Sequence, residues 1–189
     1  REVGAADGAA HVDQEAAGPS YSVPRLCTSL AMRAHDVELS CLAARVPVSG
    51  VRLDVHRQWP ILKRFAVSPS HARALRAKAD HVDIVHNHSL WSMVNVAAGL
   101  LVPGHHAKLV TSPRGTLAKW ALDRNRLAKR ALWPWQRRAV ERADLLHATS
   151  DAEYEEIGAL GLSAPYELGP GVGQRGDRRQ RVVELVADH

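Results

Sequence analysis

The feature that most restricts the fold of this 189-residue chain is a change of hydrophobic period that recurs along its length. Segments alternating apolar and polar residues, as strands do, keep giving way to segments with apolar residues three and four apart, as in helices. Asp36-Val37-Glu38-Leu39-Ser40-Cys41-Leu42 and Val51-Arg52-Leu53-Asp54-Val55 alternate with period two. Short strands are also expected over 82–85, 108–111, 144–148 and 166–168. Between them lie helical patterns. Gly18-Pro19-Ser20 opens one with Val23, Leu26, Cys27, Leu30 and Ala31 on its apolar face, ending near His35. Ser68-Pro69-Ser70 caps another through about Ala79. Further helices are expected over 91–101, over 122–141 with a kink at Pro134, and over 151–160. The stretch 59–65 is ambiguous. At least four strand-to-helix alternations define a three-layer α/β domain with a mainly parallel sheet.

The rest of the chain sets bounds. With 46% hydrophobic and 24% charged residues and a net charge of +5, it is neither a disordered chain nor a disulfide-stapled miniprotein. The two cysteines, Cys27 and Cys41, are too far apart for a CxxC motif and read as buried, reduced thiols, which suits a cytoplasmic protein. The longest apolar stretch, 93–102, is interrupted by Asn95 and ended by Pro103-Gly104, too short to cross a bilayer. Residues 1–17 are rich in Ala and Gly and carry no strand pattern. After Gly169-Pro170-Gly171-Val172-Gly173 the chain becomes Arg-rich, and Val182, Val183, Leu185 and Val186 suggest one short terminal helix.

In an open parallel sheet, ligands bind beyond the carboxyl ends of the strands. That rule selects four loops: Gly18-Pro19-Ser20-Tyr21, His86-Asn87-His88-Ser89, Ser112-Pro113-Arg114-Gly115 and Thr149-Ser150-Asp151. Each sets polar groups at a helix N-terminus, a rim suited to a phosphorylated or polyhydroxylated ligand. His86 and His88, two apart, point the same way. They serve as an ordinary strand-end pair or as hydrogen-bonding groups for a substrate. A metal pair is the third reading, and it lacks a clear third ligand. Arg114, between Pro113 and Gly115, is a guanidinium placed to fork onto phosphate or sugar oxygens, or an exposed loop arginine. Ser150 and Asp151 cap the next helix, with Glu153 in its first turn.

Residues 114–142 hold nine cations against two acids, a net +7 that exceeds the charge of the whole chain. Trp120, Trp133 and Trp135 are interleaved with them. This pattern fits an anionic membrane surface or a polyanion, and equally a solvated helix face with tryptophans packed inward.

The segments GPSYSVPRLCTSLAMRAHDVEL, DIVHNHSLW, VTSPRGTLAKWAL and ADLLHATSDAEYEEIGALGL, in this order and spacing, resemble the N-terminal domain of family 4 glycosyltransferases over residues 18–173. The resemblance implies a Rossmann-like domain, one half of a GT-B fold, in a retaining transferase of polysaccharide or glycolipid synthesis. It implies His88 and Arg114 as catalytic residues facing the reacting sugar. Gly18, Ser20, Tyr21, Trp91, Ser150 and Glu153 would bind the substrate or the donor phosphates, Gly18 on the loop that approaches those phosphates and Ser150 and Glu153 at the rim of the domain. A nucleotide-sugar is implied as co-substrate, with no metal or other cofactor. The implied partners are that donor and a saccharide or lipid-linked acceptor, with an anionic membrane surface or a separate donor-domain chain in addition and no nucleic acid. The implied location is the cytoplasm, peripheral at the inner face of the cell membrane.

Two departures stand out. Members of the family begin with an apolar strand, which residues 1–17 lack. The donor-binding domain would follow Gly173, where residues 174–189 form an Arg-rich tail. The expectation is therefore an acceptor-side domain, inactive alone, with its first strand missing.

Overall fold

The computed structural model describes residues 19–42, 48–169 and 181–186. In chain order the elements are α1 (Pro19–Met32), β1 (Asp36–Cys41), β2 (Arg52–Val55), a 3-10 segment (Pro60–Phe65), α2 (Pro69–Lys78), β3 (Ile84–His88), α3 (Met93–Leu101), β4 (Lys108–Ser112), α4 (Lys119–Asp123), α5 (Arg126–Glu141), β5 (Leu145–Ala148), α6 (Asp151–Ala159), β6 (Tyr166–Leu168) and β7 (Arg181–Val186). The seven strands form one sheet in the order β2-β1-β7-β3-β4-β5-β6, and every neighbouring pair is parallel. This is the Rossmann-like α/β architecture that the alternating periods require, with a sheet that is parallel throughout.

The largest correction concerns the end of the chain. The segment expected as a terminal helix is β7, and it occupies the centre of the sheet. Asp36 through Cys41 pair with Arg181 through Val186 on one side, and Ile84 through His88 pair with Val182 through Val186 on the other. A strand buried on both faces reads as a nearly continuous apolar run, and a run this short carries no period to separate strand from helix. Residues 1–17, which lack the family's first strand, lie outside the described residues.

Two smaller differences have local causes. The basic helix expected over 122–141 is divided into α4 and α5. Arg124 is extended and Asn125 takes a left-handed conformation with φ 57°, which asparagine tolerates better than most residues. Pro134 stays inside α5. The ambiguous stretch 59–65 contains the 3-10 segment, closed by Ala66 in a left-handed conformation.

Period two splits the strands between two faces. Val85, Leu109, Leu146, Val183 and Leu185 join one apolar core with Leu75 of α2, Ala98 of α3, Val140 of α5 and Ile157 of α6. Ile84, Val110, Val37 and Leu39 face the other way, against Val23, Cys27 and Leu30 of α1. On the first side α3 and α5 approach so closely that a Cβ on Gly99 would lie 2.2 Å from the Ala139 carbonyl oxygen, so no larger residue fits there. On the second side the strands change character along their length. Beyond Ile84 come His86 and His88, beyond Val110 comes Ser112, beyond Leu145 comes His147, and β7 contributes Glu184. All five polar residues are buried.

Candidate active site

The sheet is parallel, so every strand delivers its carboxyl end to the same edge. The chain leaves β1 toward one side of the sheet and β3 toward the other, which makes the crevice around β7 the switch point where such folds bind ligands. The loops after β3 and β4 are shaped by backbone that few residues adopt freely. Ser89 and Trp91 both have φ 71°, and Arg114 has φ 54° with Gly115 at 74° behind it.

Neighbouring side chains hold these conformations. Asn95 in the first turn of α3 donates through Nδ2 to Asn87 Oδ1 (2.6 Å) and to the His88 carbonyl (2.8 Å), and its backbone N–H bonds the Ser92 cap. The Trp91 backbone N–H donates to Gln136 Oε1 (2.8 Å), and its indole N–H donates to the Thr116 carbonyl (3.0 Å). Trp91 thereby ties the β3 loop to the β4 loop and to α5, with its ring 5.8 Å from that of Trp133. Glu153, 2% exposed, braces the rim from α6. Its carboxylate accepts from the Gly115 backbone N–H (2.8 Å), the Thr149 backbone N–H (2.7 Å) and Thr149 Oγ1 (2.9 Å). Ser150 caps α6 by accepting from the Glu153 N–H at 3.3 Å.

Within this frame the polar side chains form one connected chain. Arg114 Nε donates to His88 Nδ1 (3.0 Å), and its Nη1 donates to Ser22 Oγ of α1 (3.0 Å). His88 Nε2 bonds Glu184 Oε2 (2.5 Å), and the same oxygen lies 3.1 Å from His86 Nδ1. His86 Nε2 bonds Ser112 Oγ (2.8 Å), Ser112 Oγ bonds His147 Nδ1 (2.9 Å), and His147 Nε2 reaches the Gly169 carbonyl (2.5 Å).

Burial would raise the Glu184 carboxyl, but the adjoining His86 and His88 rings outweigh it and hold the group below the usual carboxylate range. Burial pushes His88 down to about 3, aided by the neighbouring His86 and Arg114 and opposed by Glu184. Burial also lowers His147, and it lowers Arg114 against the opposing charges of Glu184 and Glu153.

His86, His88 and Glu184 offer ligand atoms within 4.8 Å of one another, a spacing open to a metal ion. The donor set does not fit one. The Arg114 Nε–H can only donate, so His88 Nδ1 accepts and the neutral ring carries its proton on Nε2. That nitrogen has no lone pair to give while Arg114 holds the ring, and the guanidinium adds an opposing positive charge.

The structure thus brings His88 and Arg114 into direct contact and sets Glu153 behind the Arg114 turn. Ser20 and Tyr21 fall in the first turn of α1, and Gly18 lies outside the described residues. Sequence reasoning named Ser112 only as part of the Ser112–Gly115 loop and missed Ser22, His147 and Glu184 as members of the group. Glu184 carried a signal, since a lone acid inside the run Val182-Val183-Glu184-Leu185-Val186 is costly unless partnered.

No curated protein gives a significant match to the chain. A family model described as a glycosyl transferase 4-like domain matches residues 17–168. The match runs from the start of α1 to the end of β6 and contains the His88, Arg114 and Glu153 loops that the fold gathers at one sheet edge. The chain belongs to the glycosyl transferase 4-like domain family.

Proposed function

We propose that the domain is the acceptor-side half of a retaining glycosyltransferase, which moves a glycosyl group from a nucleotide-sugar to a saccharide or lipid-linked acceptor. The observation that carries this reading is the Arg114–His88 pair at the switch point. A guanidinium bonded through Nε and Nη1 has its plane fixed, so its remaining edge is oriented before an anionic or hydroxylated ligand arrives. Its placement suits it to steady charge on a departing phosphate or on the reacting sugar. The cations that stabilise the leaving nucleoside diphosphate would come largely from a donor-binding half, as a further domain or a separate chain, so these 189 residues are inactive alone.

Two measurements test this. Incubated with nucleotide-sugars, the purified chain should release no nucleoside diphosphate above background, and turnover by it alone would overturn the need for a donor half. A saccharide acceptor bound by the wild-type chain should lose at least tenfold in affinity in Arg114→Ala, and unchanged binding would remove Arg114 from the site.

A second reading concerns location and is favoured by a surface. Trp120, Leu127 and Trp135 are exposed on α4 and α5, a stretch that also carries Arg124, Arg126 and Arg130. A small groove lined mostly by apolar side chains, among them Phe65, Trp91, Met93, Leu132 and Trp135, with Gln136, adjoins Trp135. Tryptophans among cations match the boundary of an anionic bilayer, and with no membrane-crossing helix among the described residues the contact would be peripheral. On this reading the protein works at the cytoplasmic face of a membrane that holds a lipid-linked acceptor. Vesicles containing anionic lipid should sediment the chain and neutral vesicles should not. Binding that survives Arg124→Glu with Arg130→Glu would dismiss this surface.

A further inference from the structure

The hydrogen-bonded line through the sheet fixes where protons lie, and beside an ionised Glu184, which has no hydrogen-bond geometry to His86 Nδ1, the count does not close with neutral rings. His147 Nε2 faces a carbonyl oxygen, so it must carry a proton. His86 Nδ1 faces the Glu184 carboxylate at 3.1 Å, in an ion-pair contact bent away from hydrogen-bond geometry. A bare nitrogen there would set its lone pair against an anion in the interior. Between these ends lie two further contacts, His86 Nε2 to Ser112 Oγ and Ser112 Oγ to His147 Nδ1, and each needs one proton. The four positions therefore take four protons. One hydroxyl and two neutral imidazoles supply three.

We infer that Glu184 is the positioning residue of the site, holding one additional proton on the His86–Ser112–His147 line and fixing the His88 ring so that its Nδ1 lone pair faces Arg114. The two duties use one oxygen: Oε2 accepts from His88 Nε2 and carries the charge that keeps the extra proton at His86 Nδ1. The groups facing the line agree with this placement. Around His86 stand Glu184 of β7, His88 on its own strand, Ser112 of β4 and His147 of β5. Arg114 faces Glu184 across the His88 ring, and Cys27 of α1 is a thiol that burial and Glu184 keep protonated. Glu153 also acts on His147, from the far end and without contact, whereas the Glu184 carboxylate lies 3.1 Å from His86 Nδ1, so the proton rests at the Glu184 end of the line. Burial lowers the affinity of His147 for a second proton, which favours the same end.

The line can also shift that proton to the rim. The His86 Nε2 proton passes to Ser112 Oγ while the Ser112 hydroxyl proton passes to His147 Nδ1. The proton on His86 Nδ1 and the proton on His147 Nε2 stay where they are. One positive charge moves from beneath the site to the carboxyl ends of β5 and β6, with no atom displaced beyond the two protons. What this does for sugar transfer rests on the role given to Arg114 above, whereas the proton positions themselves do not.

The test is the protonation of individual rings, read from ring-nitrogen shifts of the full chain labelled with 15N-histidine at pH 7. In the wild type His88 should show an unprotonated Nδ1 and a protonated Nε2, and one imidazolium should be found on His86 or averaged between His86 and His147. Three neutral rings, or a His88 protonated on Nδ1, would overturn the inference without any variant. In Glu184→Gln the amide keeps the size of the side chain and removes its charge, so the imidazolium signature should vanish while His147 stays protonated on Nε2. An imidazolium that persists there means Glu184 does not hold the proton. If Glu184→Gln fails to fold, the wild-type shifts decide. Loss of acceptor binding with these shifts as expected would sink the proposed function and leave this inference standing.

Discussion

The two faces of strands β3, β4, β5 and β7 are equally hidden from water and, apart from Asn87 and Thr111 at the carboxyl ends of the apolar one, chemically opposite. One presents Val85, Leu109, Leu146, Val183 and Leu185, and the other presents His86, His88, Ser112, His147 and Glu184, with no residue of either set more than 7% exposed. Burial alone therefore does not tell core from site. On the apolar face stability follows from area and fit, which neighbours of similar volume can share. On the polar face each group depends on a named partner at a fixed distance, so removing one member strands another. One face is tolerant in chemistry and strict in volume, and the other is strict in both.

Adjacent residues of the central strand measure this difference most directly. Glu184→Ala leaves His88 Nε2 and His86 Nδ1 without their common acceptor in a site closed to water, and about 4 kcal/mol of stability should be lost. Leu185→Ala, on the other face of the same strand, leaves a cavity among aliphatic side chains and should cost about 3 kcal/mol. Denaturant titration gives both values. The contrast appears in a second substitution. Leu185→Met should restore most of the loss by filling the volume, whereas Glu184→Met should restore little, because it supplies no acceptor. Equal recovery at the two positions would mean the faces do not differ in kind.

Acid should act on the same distinction. His71 lies on α2, 1% exposed, its ring 5.2 Å from that of His56 and its two nitrogens without hydrogen-bond partners. Burial pushes it down to about 4, with the neighbouring His56 and Lys78 acting the same way and Asp54 opposing. The unfolded chain takes up this proton near pH 6.5 and the folded chain only near 4. Stability is therefore full above 6.5 and is lost as pH falls toward 4, by about 3 kcal/mol for His71. His88, pushed down to about 3, loses stability in the same direction over the same window and on to about 3. Glu184 joins it below the range where an unfolded carboxylate gains its proton. His71→Phe should lessen the slope between pH 6.5 and 4, with His88 carrying the remainder, and leave the fall below 4 unchanged. A melting temperature independent of pH over that window would contradict the assignment.

Most of the layered architecture is legible in the sequence, because α1, β1, β2, α2, α3, β5 and α6 each have a period or a cap of their own. The rule that parallel sheets bind ligands at their carboxyl edge selects the loops that the fold does bring together, and His88 and Arg114 can be named from those loops alone. What stays hidden depends on distance along the chain. Residues 181–186 become the central strand only by pairing with residues 36–41 and 84–88, and nothing local in Val182-Val183-Glu184-Leu185-Val186 announces those partners. His147 and Ser112 join the site for the same reason, since strand pairing, and not sequence proximity, puts them beside His86. The division at Asn125 is hidden too, because helical spacing continues on both sides of one left-handed residue.

The smallest expected effects lie at the rim, where two residues three apart divide structure from site. Ser150→Ala removes one bond of 3.3 Å at the start of α6 and should cost about 1 kcal/mol, the ordinary value of a helix cap. Glu153→Gln changes no volume, yet both carboxylate oxygens are in use. One accepts from the Gly115 N–H and the other from the Thr149 N–H and hydroxyl. Whichever way the amide is turned, its NH2 meets a backbone N–H. Turned toward Thr149, it loses two bonds and faces a donor. Turned toward Gly115, it pushes on the turn that fixes Arg114. A cost of about 2 kcal/mol follows from one buried donor left unpaired. In the second orientation acceptor binding should also weaken severalfold, because the Arg114 guanidinium loses the turn that aims it. Ser150→Ala should leave binding unchanged. If both variants lowered binding together with stability, the rim would be one structural unit and Glu153 would have no separate hold on Arg114.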